Sequence, residues 1–485
     1  KPYPVALKEA GYYVINTGKK DYNISNYDNS TWHGRKLNWK TLKENQPFFQ
    51  VINSTKSHES QAMSTKYSTH DPARVKIPPY HPDVEGIRAN YTSYYESITR
   101  MDTEIGQCLK QLEDSGMAEN TIVIHNSDHG GPLPRGKRFM YNSGTHCPLI
   151  IRIPEKFKYL WPNEKPGTKV DRLVSFIDMP STWISLAGGK VPTNYQGDIF
   201  LGPDADEERE YHLSFRGRND ERVESARAIR TKRFLYVKNY IPYVPRGQHL
   251  NYQWLIPAQR IWEEEYKAGR TNADQSRFFN IKPEHEFYDT DKDPYCLNNL
   301  AENPEFKTIV AKYKSELQKK QCLNYDAAFL PETELDRIAA ENKITVYEVL
   351  RNKKLYDIKN YQTVADVALM NDPHKVPQLI EFLGSADVGV RYWGAVGLMM
   401  LDDKAAPAKQ KLLGLLNDTS HNVRLMAAWS LVKLGEKEMA YASLNALLKE
   451  NSYAMLEILN VIDNIITSLF EGYRIEFHIT WDIFS

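Results

Sequence analysis

Two kinds of periodicity alternate along the first two thirds of this chain, and only one survives in the last third. Short apolar runs closed by Gly, Asn, Asp or Pro recur at Tyr12 to Asn16, Pro47 to Asn53, Thr121 to Ile124 and Pro148 to Pro154. Runs of that length, rich in β-branched and aromatic residues and bounded by turn formers, predict strands. Between the second and third lies a different pattern. Ile87, Tyr91, Tyr94, Ile98, Met101, Ile105, Cys108, Leu109 and Leu112 recur every three or four residues, which predicts one long amphipathic helix over Gly86 to Leu112, stopping before Asp114-Ser115-Gly116. Helix, strand, polar loop, strand is a βαβ-like order. It predicts that the runs at 121 and 148 are buried strands of a parallel α/β sheet.

The mixed pattern continues from 155 to about 320. Val170 to Leu186 reads as strand then helix, Tyr211 to Arg222 as a strand ending in Arg216, Arg218 and Arg222, and Ala226 to Lys238 as a further strand. Beyond about 330 the composition turns to alanine, leucine and other helix formers, and a repeat appears. Leu383 to Leu398 is echoed 33 residues later by Leu416 to Leu431, with Val390-Arg391 aligned on Val423-Arg424 and an aspartate, Asp387 or Asp418, shortly before each pair. Helix pairs at this period read as a HEAT-like solenoid, whose units bury their faces only against neighbours. Residues 471–485 lose the helical pattern and read as an irregular tail.

Candidate chemistry concentrates in Thr121 to Lys137. A strand that ends in Asn126-Ser127-Asp128-His129-Gly130-Gly131 delivers side chains to its carboxyl end, where open α/β sheets bind ligands. Asp128 offers hard oxygens to a cation, His129 a neutral nitrogen and Lys137 a positive charge, a set suited to an anionic substrate. The same residues also fit a plain turn, with Asp128 capping the next segment. Charge does not point elsewhere: Lys plus Arg and Asp plus Glu both number 62, so no net field recommends nucleic acid, and no apolar run reaches the length of a membrane span.

These motifs, taken in order, resemble the sulfatases, of the alkaline-phosphatase-like superfamily. The resemblance is carried by Leu7 to Lys19 (L-x-x-A-G-Y-x-x-x-x-x-G-K), by Pro47-Phe48-Phe49 leading to His58, by Ser127 to Gly130 with Lys137 and the Gly144 to Leu149 approach, by Phe176 to Pro180, and by Glu286 to Leu300. It implies a mostly parallel sheet sandwiched by helices, a small C-terminal antiparallel subdomain and an all-α repeat domain. The expected divisions are a catalytic domain over 1–205, its subdomain over 206–325, a helical linker over 326–360, HEAT-like repeats over 361–470 and the tail. Gly18-Lys19-Lys20-Asp21-Tyr22-Asn23 resembles the heparan-sulfatase-like, N-sulfoglucosamine sulfohydrolase-like branch, in which Asp21 replaces a more usual histidine.

The resemblance implies a metal-dependent hydrolase of sulfate esters or N-sulfates on a sulfated glycan. Asp128 and His129 are implied as ligands of calcium, or of manganese or another divalent metal. Lys19 and Lys137 would neutralise sulfate charge, and His58 would protonate the leaving group. Asp21, Arg135, His146, Arg216 and Arg218 are weaker substrate-binding candidates. For the arginines a second reading stands beside this one: Arg216, Arg218 and Arg222 pairing with Asp220, Glu221 and Glu224. The family's nucleophile, a formylglycine made in C-x-P-x-R, is expected on a segment not among these residues, since Cys108, Cys147, Cys296 and Cys322 all lack that context. The chain alone is therefore expected to be inactive. Cys296 and Cys322 could bridge in an oxidising compartment, and the resemblance implies a periplasmic or secreted protein. A phosphodiesterase or phosphonate hydrolase of the same superfamily, or a glycan-binding relic docking a protein through its repeats, are the alternatives.

Overall fold

In the computed structural model, residues 1–19, 22, 29–162, 165–218, 220–450 and 455–469 are described; Asp21 and the tail at 471–485 lie outside them. The chain forms two compact units. The first holds Lys1–His212 with two short returns, Thr231–Arg233 and Ile256–Trp262; the second holds Leu213–Arg230, Phe234–Leu255 and the chain from Glu263 onward.

In the first unit, helix α1 (Tyr3–Glu9) places Pro4 in its first turn, where a missing N–H costs nothing, and turns Ala6 and Leu7 inward. Strand β1 (Tyr13–Asn16) comes next and is buried on both faces. Val14 joins Ala6, Leu7, Trp32 and Ile184 in one cluster, while Ile15 joins Leu42, Leu112 and Met117 in another. Helix α2 (Trp39–Glu44), capped by the Asn38 side chain, carries the crossover to strand β2 (Phe48–Val51), which pairs with β1 in parallel, Tyr13 opposite Phe48 and Asn16 opposite Val51. Two parallel carboxyl ends therefore stand side by side.

The long helix is observed as α3 (Glu85–Asp114), ending in Ser115 and a left-handed Gly116. Ile87, Tyr91, Tyr94 and Leu112 are buried as their spacing predicts, but Ile98 and Leu109 are exposed. The prediction for the next pair also fails in one respect. Strands β3 (Val123–Asn126) and β4 (Leu149–Arg152) are antiparallel, Val123 opposite Arg152 and Asn126 opposite Leu149, and each is only half buried. The reason is the connection: parallel neighbours need a crossover element, and the segment between these strands holds only the four-residue helix α4 (Asn142–Thr145) before folding straight back.

The second unit centres on a four-stranded sheet in the order β5 (His212–Arg216), β6 (Ala226–Arg230), β7 (Phe234–Asn239), β8 (His285–Asp289), antiparallel between β6, β7 and β8. The helix Lys307–Leu323 packs on it, and helices from Glu332–Asn342 to Met455–Leu469 stack behind around one continuous apolar core. The repeat seen in the sequence has a physical function here. Asp387 caps the helix Val388–Met400 by accepting from Gly389 N and Val390 N, and Asp418 takes Arg391 with both oxygens, Nε at 2.7 Å and Nη2 at 2.9 Å. Arg391 thus ties its helix to the aspartate of the next repeat.

The four cysteines are all free, so Cys296 and Cys322 form no bridge. Among the described residues no helix is long and apolar enough to cross a membrane.

Candidate functional site

The site is built where β1 ends. Asn16, buried as the last residue of that strand, accepts from Gly18 N and Asn53 Nδ2 through Oδ1 and donates through Nδ2 to Lys19 O and Tyr22 Oη. One side chain thereby fixes the turn that carries Lys19 and ties it to the segment leaving β2. Gly18 leaves room for this: a Cβ there would stand 2.7 Å from Asn53 Cβ. Lys19 Nζ reaches to 4.0 Å from Asp128 Oδ2, both groups being exposed.

Asp128 and His129 stand on the loop after β3. The His129 ring is oriented by its own loop, Nδ1 donating to Gly130 O at 2.7 Å, which puts the proton on Nδ1 and leaves the Nε2 lone pair open. That nitrogen lies 3.6 Å from Asp128 Oδ1. Ser127 Oγ donates to His129 O and steadies the turn. The loop closes on itself through Gly130 N to Gly144 O and Lys137 N to Gly131 O. Its glycines are required by this packing: a Cβ on Gly130 would sit 2.0 Å from Ser143 O, and one on Gly136 2.0 Å from Gly131 O.

Two arginines in this loop adopt the left-handed backbone that L side chains avoid, Arg135 at φ 64° and Arg138 at φ 82°. Such strain persists only where surroundings enforce it. Arg135 is buried with its guanidinium over Tyr80 and Tyr141, 4.5 and 4.0 Å from the ring centroids. Arg138 binds Glu59 Oε1, and Lys137 Nζ binds Glu59 Oε2 at 2.9 Å. Glu59 is wholly buried; burial pushes its carboxyl pKa up, but Arg138 and Lys137 more than offset that and hold it below the ordinary value. Lys137 is thus partly neutralised from the far side of the loop. Glu59 was not singled out in the sequence, where its one signal is adjacency to His58.

His58 caps the short helix Glu59–Met63. Its Nδ1 accepts from Ser60 N at 3.2 Å, so a neutral His58 carries its proton on Nε2, and the ring is exposed. Beneath it Tyr94 of α3 donates to Ser57 O; burial raises that phenol's pKa, and the charges of Asp128 and Glu59 raise it further. The long segment after Glu59 is strapped onto α3. Asn90 Nδ2 donates to Ala62 O and Ser64 O, Arg88 to Pro72 O and Val75 O, and Glu96 Oε1 accepts from the N–H groups of Ser68, Thr69 and His70.

The remaining candidates are more scattered. His146 is exposed at the end of α4. Cys147 lies near Ser127 and Asp128; burial raises its thiol pKa, a Ser127 hydrogen bond opposes this and Asp128 adds to it, so the group is held as a thiol. In the second unit Arg216 is buried on β5, Arg218 Nε pairs with Glu332 Oε2 at 2.7 Å, and Arg222 Nη1 pairs with Asp463 Oδ2 at 2.7 Å. Arg218 and Arg222 thus each pair with an acid distant in sequence, and Arg218 also donates through Nη1 to Asp220 O at 3.0 Å.

As a metal centre, the donors fit one side of a shell. Oδ1 of Asp128 and Nε2 of His129 are 3.6 Å apart, a gap that one cation at about 2.3–2.6 Å from its ligands can span. Among the described residues no group of three His, Cys, Asp or Glu converges to complete it. One oxygen and one nitrogen donor admit calcium or manganese equally.

Comparison with known proteins agrees with this architecture. A family profile described as Sulfatase matches residues 35–189, one described as N-sulphoglucosamine sulphohydrolase, C-terminal, matches 135–244, and one for HEAT repeats matches 376–458. An ulvan-active sulfatase of Formosa agariphila is 33% identical over 372 residues, 68% of this chain and 61% of the relative. Human N-sulphoglucosamine sulphohydrolase is 27% identical over 283 residues, 53% of this chain and 52% of that protein. An N-acetylglucosamine-6-O-sulfatase of Bacteroides thetaiotaomicron is 27% identical over 230 residues, 47% and 34% respectively. The chain thus spans at most 61% of the length of these relatives. His58, Asp128, His129 and Lys137 fall inside the Sulfatase match, and Lys19 precedes it.

Proposed function

Because the chain belongs to the sulfatase family, in the branch of the N-sulphoglucosamine sulphohydrolases and with HEAT repeats in its C-terminal third, we propose that its residues hold and protonate the substrate in the hydrolysis of sulfate esters or N-sulfates of a sulfated glycan. The observation that carries the reading is the meeting of Lys19, Asp128 and His129 at 4.0 and 3.6 Å, where the carboxyl end of a parallel strand comes up against a closed glycine loop. Asp128 and His129 would hold a divalent cation, which would supply Lewis-acid polarisation of the sulfate group. Lys19 and Lys137 hold the sulfate, fixed charges placed before the S–O or S–N bond breaks. Lys137 does so with its charge moderated by Glu59.

His58 gives the proton. The acid is the imidazolium, with Nδ1–H donating to Ser60 Oγ at 2.9 Å; its Nε2 proton passes to the departing sugar oxygen or nitrogen, leaving the neutral ring. None of the four cysteines has C-x-P-x-R around it, so we assign no nucleophile to these residues and expect the 485 residues alone to release no sulfate from an aryl sulfate. Asp21, Arg135, His146, Arg216 and Arg218 are proposed as weaker substrate-binding residues, and the setting is proposed to be periplasmic or extracellular.

The test is calorimetric titration of glucosamine N-sulfate, with and without calcium, into the protein and into Asp128→Asn and Lys19→Met. Calcium-dependent binding that both substitutions abolish is expected. Equal binding by all three proteins, or none by the unsubstituted one, refutes the reading.

A further inference from the structure

On the surface of the second unit, Arg351 is held between two tyrosines. Its guanidinium carbon lies 3.4 Å from the centroid of Tyr347 and 4.3 Å from that of Tyr325, and the guanidinium also donates through Nη1 to Tyr347 O. Unlike Arg135, this stack is open to solvent: Tyr347 is 64% exposed and Tyr325 41%. Two rings and a long cationic side chain left in water are an expensive surface, since each could bury its apolar area by turning inward.

The stack is held in place. Tyr347 and Arg351 stand one turn apart on the helix Val346–Arg351, whose start is fixed by a reciprocal capping box between Thr345 and Glu348. Tyr325 comes from the turn after the helix Lys307–Leu323 and takes a left-handed backbone, φ 52°, which a tyrosine adopts only under constraint. The constraint is the next residue: Asp326 accepts from Arg227 with both oxygens, Nη2 on Oδ1 and Nε on Oδ2, and its N–H donates to Gln321 O. Leu323, also exposed, precedes it.

Charge decides what such a surface fits. Arg351 is followed closely by the exposed Lys353 and Lys354. Against these three cations stand two carboxylates, Glu348 in its capping box and Asp357 capping the helix Ile358–Leu369 at 4.0 Å from Lys353, so the edge keeps an excess of one positive charge. A positive edge beside flat aromatic faces therefore stands on a chain of zero net charge. We propose that Tyr325, Tyr347 and Arg351 form an accessory docking site for a sulfated polysaccharide, the rings packing on pyranose faces and Arg351 with its lysines taking sulfate oxygens through a planar fork and point charges. The proposal rests on the sulfated-glycan reading of the first unit. Its effect is to hold a polymer chain on the protein between cleavage events, raising the local concentration of sulfate groups.

Affinity electrophoresis of the whole protein in gels containing dextran sulfate or neutral dextran tests it. Retardation by dextran sulfate alone is expected, weakened about tenfold in Arg351→Ala, the scale of one lost charge-assisted contact, and comparably in Tyr347→Ala. Lys411→Ala, at an exposed lysine outside both sites, should be retarded like the unsubstituted protein. No retardation of that protein, unchanged retardation of both stack variants, or an equal weakening in Lys411→Ala overturns the inference. The glucosamine N-sulfate titration reads the first unit independently, so failure of one leaves the other standing. Tyr347 is exposed on a capped helix, so its removal leaves folding intact, which a circular dichroism melt confirms.

Discussion

Glu59→Gln is the substitution that tests how the candidate loop is held. The side chain has no exposure, Arg138 has 6% and Lys137 28%. The carboxylate is the shared counter-ion of two neighbouring cations, one of which cannot reach water. Removing one partner of a buried pair costs about 3–5 kcal/mol, because the remaining charge stays desolvated. Lys137 can swing outward, so the lower figure applies, about 3 kcal/mol. That corresponds to roughly a hundredfold loss of local protection. Hydrogen exchange followed by mass spectrometry should show amides of 57–63 and 130–140 exchanging about a hundredfold faster, with β6 to β8 of the second unit unchanged. Lys137→Met is the control: it leaves Glu59 paired with Arg138, and because Lys137 is partly exposed its loss should cost about 1 kcal/mol or less. If Glu59→Gln changes exchange less than fivefold, or if Lys137→Met does equal damage, the shared counter-ion does not organise this loop.

The strap over α3 should be acid-sensitive. Three backbone N–H groups, of Thr69, His70 and Ser68, hold the Glu96 carboxyl down to about 2, so its contribution is complete above the unfolded value of about 4.3 and is lost as pH falls through that window. Pepsin should cut between 59 and 83 increasingly fast from pH 4.5 to 2, and a rate that only follows pepsin's activity on an unfolded control would contradict this. Asp418→Asn takes away the two-oxygen acceptor of Arg391 and should cost about 1–3 kcal/mol, lowering the calorimetric transition of the second unit and leaving that of the first; no shift would deny the repeat-to-repeat tie. Gly130→Ala should prevent the loop from closing, because its Cβ would lie 2.0 Å from Ser143 O, and protein recovered with an unchanged melting temperature would show that the loop yields.

How much of this was legible in the sequence depended on how local the cause was. The long helix came within two residues of its observed ends, since periodicity and the Asp114-Ser115-Gly116 stop are local signals. The repeat was visible as Val-Arg pairs with preceding aspartates, because a solenoid writes its contacts at a fixed spacing. What the sequence did not contain was pairing sense. The runs at 121 and 148 read as strands correctly, but whether they run together or opposed depends on the connection, and nothing in Gly130 to Thr145 announces that its glycines will let the backbone fold straight back. The exposed Ile98 and Leu109 obey the same logic: period fixes the face of a helix, not whether a neighbour covers it.

The candidate site divides along the same line. Lys19, Asp128 and His129 could be picked out because each comes after a strand and stands in a motif, and the structure brings those three together. Glu59, Asn16 and Glu96 could not, because each acts on partners far away in sequence: Glu59 on Arg138 across 79 positions, Asn16 on Asn53 across 37, Glu96 on Thr69 across 27. All three are polar, buried and engaged, and a buried polar group left without a partner costs more than the bond it forgoes. They contribute position rather than chemistry, so Asn16→Ala should weaken sulfate binding without changing hydrogen exchange of the 58–63 amides at the His58 cap. Faster exchange there in Asn16→Ala would mean that the turn after β1 and the cap at His58 are one coupled structure and not two.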